Sequence, residues 1–337
     1  MKEMRSSVPK KPKETLPVIA DYALIEPWRN TNSGNARWSF AGKDGKTYFI
    51  KEFLSPVFPS SDAISKEALA KKRALCYNYY SSKRRLYQKI EQSATGNLVL
   101  ISDFFLFGTK YYITTEKIEE AKVTVENIAK APEAKKRLLL KILTFSLMKL
   151  HENGVVHADL KPNNILIKES ESGDNLIAKI IDFDGSYLVG EQPGSEEIQG
   201  DLPYLAPETC RYMFGEDVKL TQKVDVFTTG LLFHLYLTGA LPTVDKGFDY
   251  VHEALLENGE VHLSPKLREP YLSLVRSMID IDPEKRPDMK TVLDALNAMD
   301  GKKPEPKPEA VPAPEPKPEP AEPGLKKTSL WRKPTGF

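Results

Sequence analysis

Residues 155–167, VVHADLKPNNILI, place a polar loop between two short apolar runs. The apolar runs predict buried strands at 155–156 and 165–167, and such strands hold the loop between them in a fixed conformation. The loop carries a carboxylate, an ammonium and an amide within six positions, at Asp159, Lys161 and Asn164. This set can position a hydroxyl nucleophile, offset the charge of a moving phosphoryl group and hold a divalent metal. The loop is therefore the first candidate for a catalytic segment.

A second polar segment follows at 179–185, KIIDFDG. Its apolar residues predict the end of a strand running over 176–181, which delivers Asp182 to the strand end. Carboxylate and amide oxygens are the hard ligands that Mg²⁺ prefers. Asp182 and Asn164 are therefore the candidate metal ligands.

The rest of the chain divides by composition and periodicity into a β-rich first part and a helical second part. The long stretch 62–92 lacks glycine and proline and predicts a helix that Ser61 or Asp62 could cap. The apolar stretch 226–241 is interrupted by polar residues and is interpreted as a buried helix rather than a membrane span. The remaining predicted elements are strands at 22–28, 36–41, 47–53, 97–107 and 111–118, a hairpin turn at 43–46 and a helix at 134–152.

These patterns set the predicted boundaries. They are a flexible basic arm at 1–20, a β-rich lobe at 21–118, a helical lobe at 119–300, a linker at 301–324 and a short peptide tip at 325–337. The linker is rich in proline, lysine and glutamate, which favours an extended and disordered spacer. The tip, LKKTSLWRKPTGF, is either a ragged terminus or a docking peptide for a partner. Its candidate groups are Trp331 with Arg332 for docking, and Thr328, Ser329 and Thr335 for autophosphorylation.

Net charge and cysteine content indicate which kinds of partner and which cellular compartment to expect. The chain has 48 basic and 47 acidic residues, a net charge of +1, which gives no reason to expect a nucleic acid or membrane partner. Its two cysteines, Cys76 and Cys210, are far apart and lack CxxC spacing. A zinc site or disulfide framework is therefore not expected, and a reducing cytoplasmic location is predicted.

Five ordered motifs over about 21–300 resemble the eukaryotic-like Ser/Thr protein kinase family. They are His157 to Asn164 (HADLKPNN), Asp182 to Asp184 (DFD), Ala206 to Glu208 (APE), Asp225 to Gly230 (DVFTTG) and Arg286 in DPEKRP. One such triplet is weak evidence, whereas five in the family's order and spacing are specific. The resemblance implies an α+β, bilobal kinase-like fold with a β-rich first lobe and a helical second lobe.

The resemblance also implies a role for each matching residue. Asp159 would align the substrate hydroxyl, Lys161 would offset charge on the phosphate, and Asn164 with Asp182 would hold Mg²⁺. The ATP-binding positions would be Lys51, Ser33, Gly34, the hinge from Glu116 to Ile118, the gatekeeper Thr115, the floor Leu166 and, as a partner of Lys51, Glu67. The structural positions would be His157, Phe183, Glu208, Asp225 and Arg286, with Arg286 pairing to Glu208.

Several positions depart from the family pattern. The glycine-rich loop is reduced to 31–36, TNSGNA, and Phe49 replaces the alanine against which adenine packs. Ala158 replaces the arginine that normally pairs with a phosphorylated loop, so control of that kind is not expected. Asp184 replaces the glycine of the metal motif, where Gly185 could supply the freedom, and Asp201 replaces the threonine before the APE segment.

Three functions follow as alternatives. The first is an active kinase that transfers the γ-phosphate of Mg-ATP to Ser or Thr of a protein substrate. The second is a pseudokinase that binds nucleotide or partners without catalysis, which the altered glycine loop, Phe49 and the lack of a clear helix glutamate to pair with Lys51 favour. The third is a small-molecule phosphotransferase, which shares the Asp159 and Asp182 chemistry but lacks the APE, Asp225 and Arg286 features.

Overall fold

A computed structural model describes residues 16–30, 35–60, 65–118, 123–198 and 200–301. The described chain forms a β-rich unit, up to Tyr77 plus Ile101–Lys117, and a helical unit, Asn78–Leu100 plus the residues from Ile118 onward. The α+β class predicted from the sequence is confirmed. The predicted linker and tip beyond Gly301 lie outside the described residues.

The β-rich unit contains one antiparallel sheet with the strand order β1-β2-β3-β4-β6-β5. Its strands are β1 (Val18–Ile19), β2 (Tyr22–Leu24), β3 (Ala36–Lys43), β4 (Lys46–Phe53), β5 (Ile101–Phe107) and β6 (Lys110–Glu116). The predicted hairpin turn joins β3 to β4, where Asp44 and Gly45 have φ of 51° and 75°. Positive φ at both central residues matches the twist of a two-residue hairpin and sets the register of the two strands.

Two predicted boundaries in this unit change. Val18–Ile19 pairs with β2, so the predicted arm at 1–20 extends too far, and its first 15 residues lie outside the described chain. The long helix α1 (Lys66–Gln92) begins later than residue 62. Ser65 Oγ accepts the backbone N–H of Ala68 at 3.2 Å and so serves as its cap. The predicted caps Ser61 and Asp62 lie outside the described residues.

The helical unit contains the remaining α-helices and strands of the described chain. They are α2 (Val125–Lys130), α3 (Glu133–Glu152), β7 (Val155–Val156), β8 (Ile165–Glu169), β9 (Leu176–Ile180), β10 (Tyr187–Leu188), α4 (Pro207–Met213), α5 (Lys223–Thr238), β11 (Thr243–Val244), α6 (Val251–Leu256), β12 (Val261–His262), α7 (Tyr271–Met278) and α8 (Met289–Ala298). Helix α5 is buried along almost its whole length and packs against α2, α3 and α7. This confirms the interpretation of 226–241 as a buried helix. In the described chain, no helix has the length and apolar character that a membrane crossing requires.

His234 of α5 is a buried histidine held in its neutral form. Its Nδ1 bonds the carbonyl of Ala240 at 2.7 Å, and its Nε2 accepts the backbone N–H of Ser264 at 2.9 Å. Burial lowers the pKa of His234, although the bond to Ala240 acts in the opposite direction. Burial also lowers the pKa of His252 in α6.

These histidines predict a loss of stability in mild acid. Because their pKa is lower in the folded state, their contribution is complete above the unfolded value of about 6.5 and declines as the pH falls below it. The His234→Gln variant should therefore show a smaller decline in the free energy of unfolding between about pH 7.5 and about pH 5.5. Urea unfolding followed by far-UV circular dichroism measures this decline. The exposed-histidine control, His262→Gln, should keep the wild-type decline, and an unchanged decline in His234→Gln would contradict the assignment.

Candidate active site

The polar loop after β7 brings three predicted side chains into contact. Lys161 Nζ lies 3.0 Å from Asp159 Oδ2, and Asn164 Nδ2 donates to Asp159 Oδ2 at 2.9 Å and to its carbonyl oxygen at 2.8 Å. Asp159 and Lys161 are partly exposed, whereas Asn164 is buried. The carboxylate therefore has a fixed orientation and stays accessible to a ligand.

Asp225, at the start of α5, holds the backbone of this loop. Its two carboxylate oxygens accept the N–H groups of His157 at 2.8 Å and Ala158 at 2.9 Å, and His151 Nε2 lies 3.0 Å away. Burial alone would raise the pKa of Asp225, but these bonds and the nearby histidines hold that pKa below its ordinary value. Ala158 has φ of 65°, a conformation that non-glycine residues avoid, so Asp225 stabilises a strained turn directly before Asp159.

Asp182 reaches the loop through backbone pairing. The N–H of Ile181 donates to the carbonyl of Asn164 at 2.9 Å, and His157 Nε2 lies 3.2 Å from the carbonyl of Ile181. Asp182 itself has φ of 62°. Phe183, the residue after Asp182, packs its ring 5.1 Å from the ring of His157. Asp182 and Asn164 are thus adjacent in space, as predicted for two ligands of one metal.

The donor set fits Mg²⁺. Asn164 uses its amide nitrogen on Asp159, which leaves its oxygen Oδ1 as a metal ligand. Asp182, which directly follows the Ile181 that bonds Asn164, offers a carboxylate as the second oxygen donor. Few protein oxygens combined with phosphate and water are the usual environment of this cation.

Sequence reasoning missed the contacts that fix the segment after Asp182. Lys83 of α1 donates through Nζ to the carbonyl of Asp184 at 2.6 Å, and Ser186 Oγ donates to the carbonyl of His157 at 2.9 Å. Neither Asp184 nor Gly185 has a positive φ, so the predicted need for glycine freedom here does not arise. No local pattern indicates the Lys83 contact, because its partners are about a hundred positions apart.

Glu208 and Arg286 form a buried, bidentate ion pair. Arg286 donates to the two carboxylate oxygens of Glu208 at 2.6 and 2.8 Å, and both side chains are almost fully buried. Arg286 also donates to the carbonyls of Asp280, Ile281 and Lys223. The predicted pairing of these two residues is present.

In the β-rich unit, Lys51 lies on a sheet face crowded with aromatic rings. Lys51 pairs across the sheet with Trp38, and Phe49 pairs with Phe40, so all four side chains share one face. The rings of Trp38 and Phe49 lie 5.4 Å apart, and the ring of Phe40 lies 5.8 Å from Trp38 and 6.1 Å from Phe49. Thr115 pairs with Phe49 on the same face. Period-two alternation along the two strands could have revealed this cluster.

The other predicted ATP-binding residues have different environments. Leu166 is half-buried on β8, on the opposite face from its buried neighbours in that strand. Glu116 is exposed at the end of β6 and pairs with Lys46 at 2.8 Å, and the boundary between the two units falls directly before Ile118. Ser33 and Gly34 lie outside the described residues.

Comparison with known proteins decides the family. The family model described as "Protein kinase domain" matches residues 63–296, more than half of the chain. This chain is a member of the protein kinase family.

Curated relatives of this kinase domain are distant and longer. Protein kinase kin1 of Schizosaccharomyces pombe is 26% identical over 295 residues, which cover 85% of this chain and 32% of that protein. Serine/threonine-protein kinase cds1 of the same yeast is 33% identical over 166 residues, covering 44% and 32%. Hormonally up-regulated neu tumor-associated kinase of Mus musculus is 28% identical over 251 residues, covering 69% and 32%. The chain thus spans about a third of the length of these relatives.

Within the family pattern, the prediction for Glu67 is wrong. The kinase helix glutamate should pair with the strand lysine, yet Glu67 is exposed in the first turn of α1 and forms no ion pair with any described residue. The helix has no other acidic residue before Glu91 and instead carries Lys83, Arg84 and Arg85 along its second half.

Proposed function

We propose that this kinase domain transfers the γ-phosphate of Mg-ATP to serine or threonine hydroxyls of a protein substrate. The observation that carries the proposal is the contact of Asp159 with both Lys161 and Asn164, next to Asp182. Family membership supports a phosphotransferase. The serine/threonine preference rests on Lys161 and on the name of a distant relative, the serine/threonine-protein kinase of yeast.

The residues divide the work as follows. Asp159 orients the acceptor hydroxyl and accepts its proton as the hydroxyl oxygen bonds to the γ-phosphorus and the bond from that phosphorus to the leaving ADP oxygen breaks. Alignment is the larger contribution because a carboxylate is a weak base. Lys161 lies beside Asp159 and offsets negative charge on the transferring group. Asn164 and Asp182 would hold Mg²⁺, which when bound neutralises phosphate charge.

A transfer assay tests this proposal. The full chain is incubated with radiolabelled ATP, with and without Mg²⁺, in the presence of protein acceptors or small hydroxyl compounds. We expect Mg²⁺-dependent label on serine or threonine of protein, identified by mass spectrometry. Label confined to small molecules would favour a small-molecule phosphotransferase, and the absence of label from every acceptor would overturn the proposal.

The pseudokinase alternative is favoured by one observation, the aromatic face around Lys51. In the family pattern, residue 49 is the alanine under which adenine packs, and Trp38 stands where the glycine-loop motif ends in valine. Two rings 5.4 Å apart at these positions leave less room for a purine.

A cytoplasmic location is supported by the two free thiols of Cys76 and Cys210, which suit a reducing compartment.

Opening this face should improve nucleotide binding. Steric crowding of a packed site costs about 1–3 kcal/mol, so the Trp38→Val, Phe49→Ala variant should bind ATP about tenfold more tightly than the wild-type chain. Isothermal titration calorimetry with Mg-ATP measures the dissociation constants. Phe107→Ala, at a partly exposed ring of β5 in the same sheet, is the control and should leave the affinity unchanged. Weaker binding by the double variant would mean that the rings stack on the base instead of obstructing it.

A further inference from the structure

A cleft opens to solvent beside Asp159 in the helical unit. Ala158, Asp159 and Leu160, from the polar loop after β7, line one side of it. Asp201, Tyr204 and Thr209 are among the residues that line its other sides. Asp159 and Asp201 therefore line the same cleft.

Asp201 gives the cleft an unbalanced negative charge. The other carboxylate, Asp159, is paired with Lys161 at 3.0 Å, whereas the Asp201 side chain has no hydrogen bond or ion pair with any described residue. Burial, and then the negative charge of Asp201, raise the pKa of Tyr204 to about 12. The charge of Asp201 therefore acts on groups inside the cleft.

Thr209 adds an unused polar group to the same cleft. The relative exposure of Thr209 is only 3%, yet its Oγ1 has no hydrogen-bond partner in the described part of the chain. Buried hydroxyls without a partner are uncommon because they lose their hydration without compensation. A hydroxyl can accept a bond from a cationic N–H, so Thr209 and Asp201 suit the same kind of ligand.

We propose that this cleft selects substrates with lysine or arginine directly beside the phosphorylated residue. The cationic head pairs with Asp201 and donates to the hydroxyl of Thr209, whereas an acidic neighbour is repelled. This assignment rests on the proposed kinase function for the identity of Asp159 as the acceptor-binding residue. The chain contains such a sequence itself, since Lys327 directly precedes Thr328 in its last 13 residues.

A peptide series provides the test. The probe is a fluorescent peptide of residues 325–337 with Ser329→Ala and Thr335→Ala, so that Thr328 is its only acceptor. Two further peptides replace both Lys326 and Lys327 with alanine or with glutamate. The full-length chain is used throughout, so any competition from its own terminus is the same in each measurement. Fluorescence anisotropy measures binding, and phosphate incorporation from Mg-ATP measures transfer.

We expect the alanine peptide to bind about tenfold more weakly than the lysine peptide, as for loss of a charge-assisted hydrogen bond, and the glutamate peptide to bind more weakly still. The Asp201→Asn variant should reduce the difference between lysine and alanine peptides to less than about twofold, and Asp201→Lys should favour the glutamate peptide. Glu196→Gln, an exposed acid of the same segment outside the cleft, is the control and should keep the wild-type preference.

The two proposals fail separately in this design. Equal binding of the three peptides by the wild-type chain, or an unchanged preference in Asp201→Asn, overturns the substrate assignment whatever the rate of transfer. A preference for the lysine peptide that depends on Asp201 supports the assignment even if no peptide takes up phosphate. The proposed kinase activity is overturned only if neither these peptides nor any acceptor of the transfer assay takes up label.

Discussion

Phosphate transfer by the Asp159→Asn variant should be about 10²–10⁴ times slower than transfer by the wild-type chain, the usual contribution of a positioned acid or base. The wild-type carboxylate accepts bonds from Lys161 and Asn164, both of which are donors. Asparagine keeps the shape of the side chain but loses its negative charge. Its NH₂ group replaces one acceptor oxygen with a donor, which then faces Lys161, Asn164 or the acceptor hydroxyl. Both the alignment of the hydroxyl and the destination of its proton are then lost.

The measurement is initial-rate incorporation of label from Mg-ATP into the peptide of residues 325–337. Asp174→Asn is the matched control, because Asp174 is an exposed aspartate in the turn between β8 and β9 and lies away from the site. It should transfer at the wild-type rate. Far-UV circular dichroism of Asp159→Asn should match the wild type, since the replaced side chain is partly exposed. Equal rates in the wild type and a folded Asp159→Asn would refute the assigned role.

Local sequence patterns predicted the parts of this kinase that local chemistry determines. The polar loop of Asp159 lies between β7 and β8 because two short apolar runs bracket it, and the β3–β4 hairpin follows from Asp44-Gly45. Strand ends were less accurate. The stretch predicted as one strand at 97–107 begins its strand only at Ile101, although Leu98 still forms an isolated bridge to Ile180.

Features that depend on distant residues were not predictable in the same way. Lys83 contacts the carbonyl of Asp184 across about a hundred positions of sequence, and no periodicity marks such a pair. The sequence places Glu67 on a helix, but the observed start of α1 at Lys66 puts it in an exposed first turn. The exposed carboxylate of Asp201 was visible as a departure from the family pattern, yet its role as a cleft wall required coordinates.

Breaking the buried ion pair of Glu208 and Arg286 should cause the largest loss of stability, about 3–5 kcal/mol for the Glu208→Gln variant. The Arg286 side chain has 0% exposure, so water cannot solvate the charge that glutamine leaves uncompensated. Its remaining bonds to three carbonyl groups do not neutralise that charge. The pair joins the start of α4 to the segment before α8, and the loss should therefore destabilise the helical unit.

Chemical unfolding followed by far-UV circular dichroism measures this change, because the described tryptophans, Trp28 and Trp38, both lie in the β-rich unit and report on that unit. The matched control is Glu216→Gln, which breaks the exposed pair of Glu216 with Arg211 and should cost no more than about 1 kcal/mol. Replacing both partners, as Glu208→Gln with Arg286→Met, should recover much of the loss, since no charge is then buried alone. A loss in Glu208→Gln no larger than in the surface control would show that the buried pair contributes no more than an exposed one.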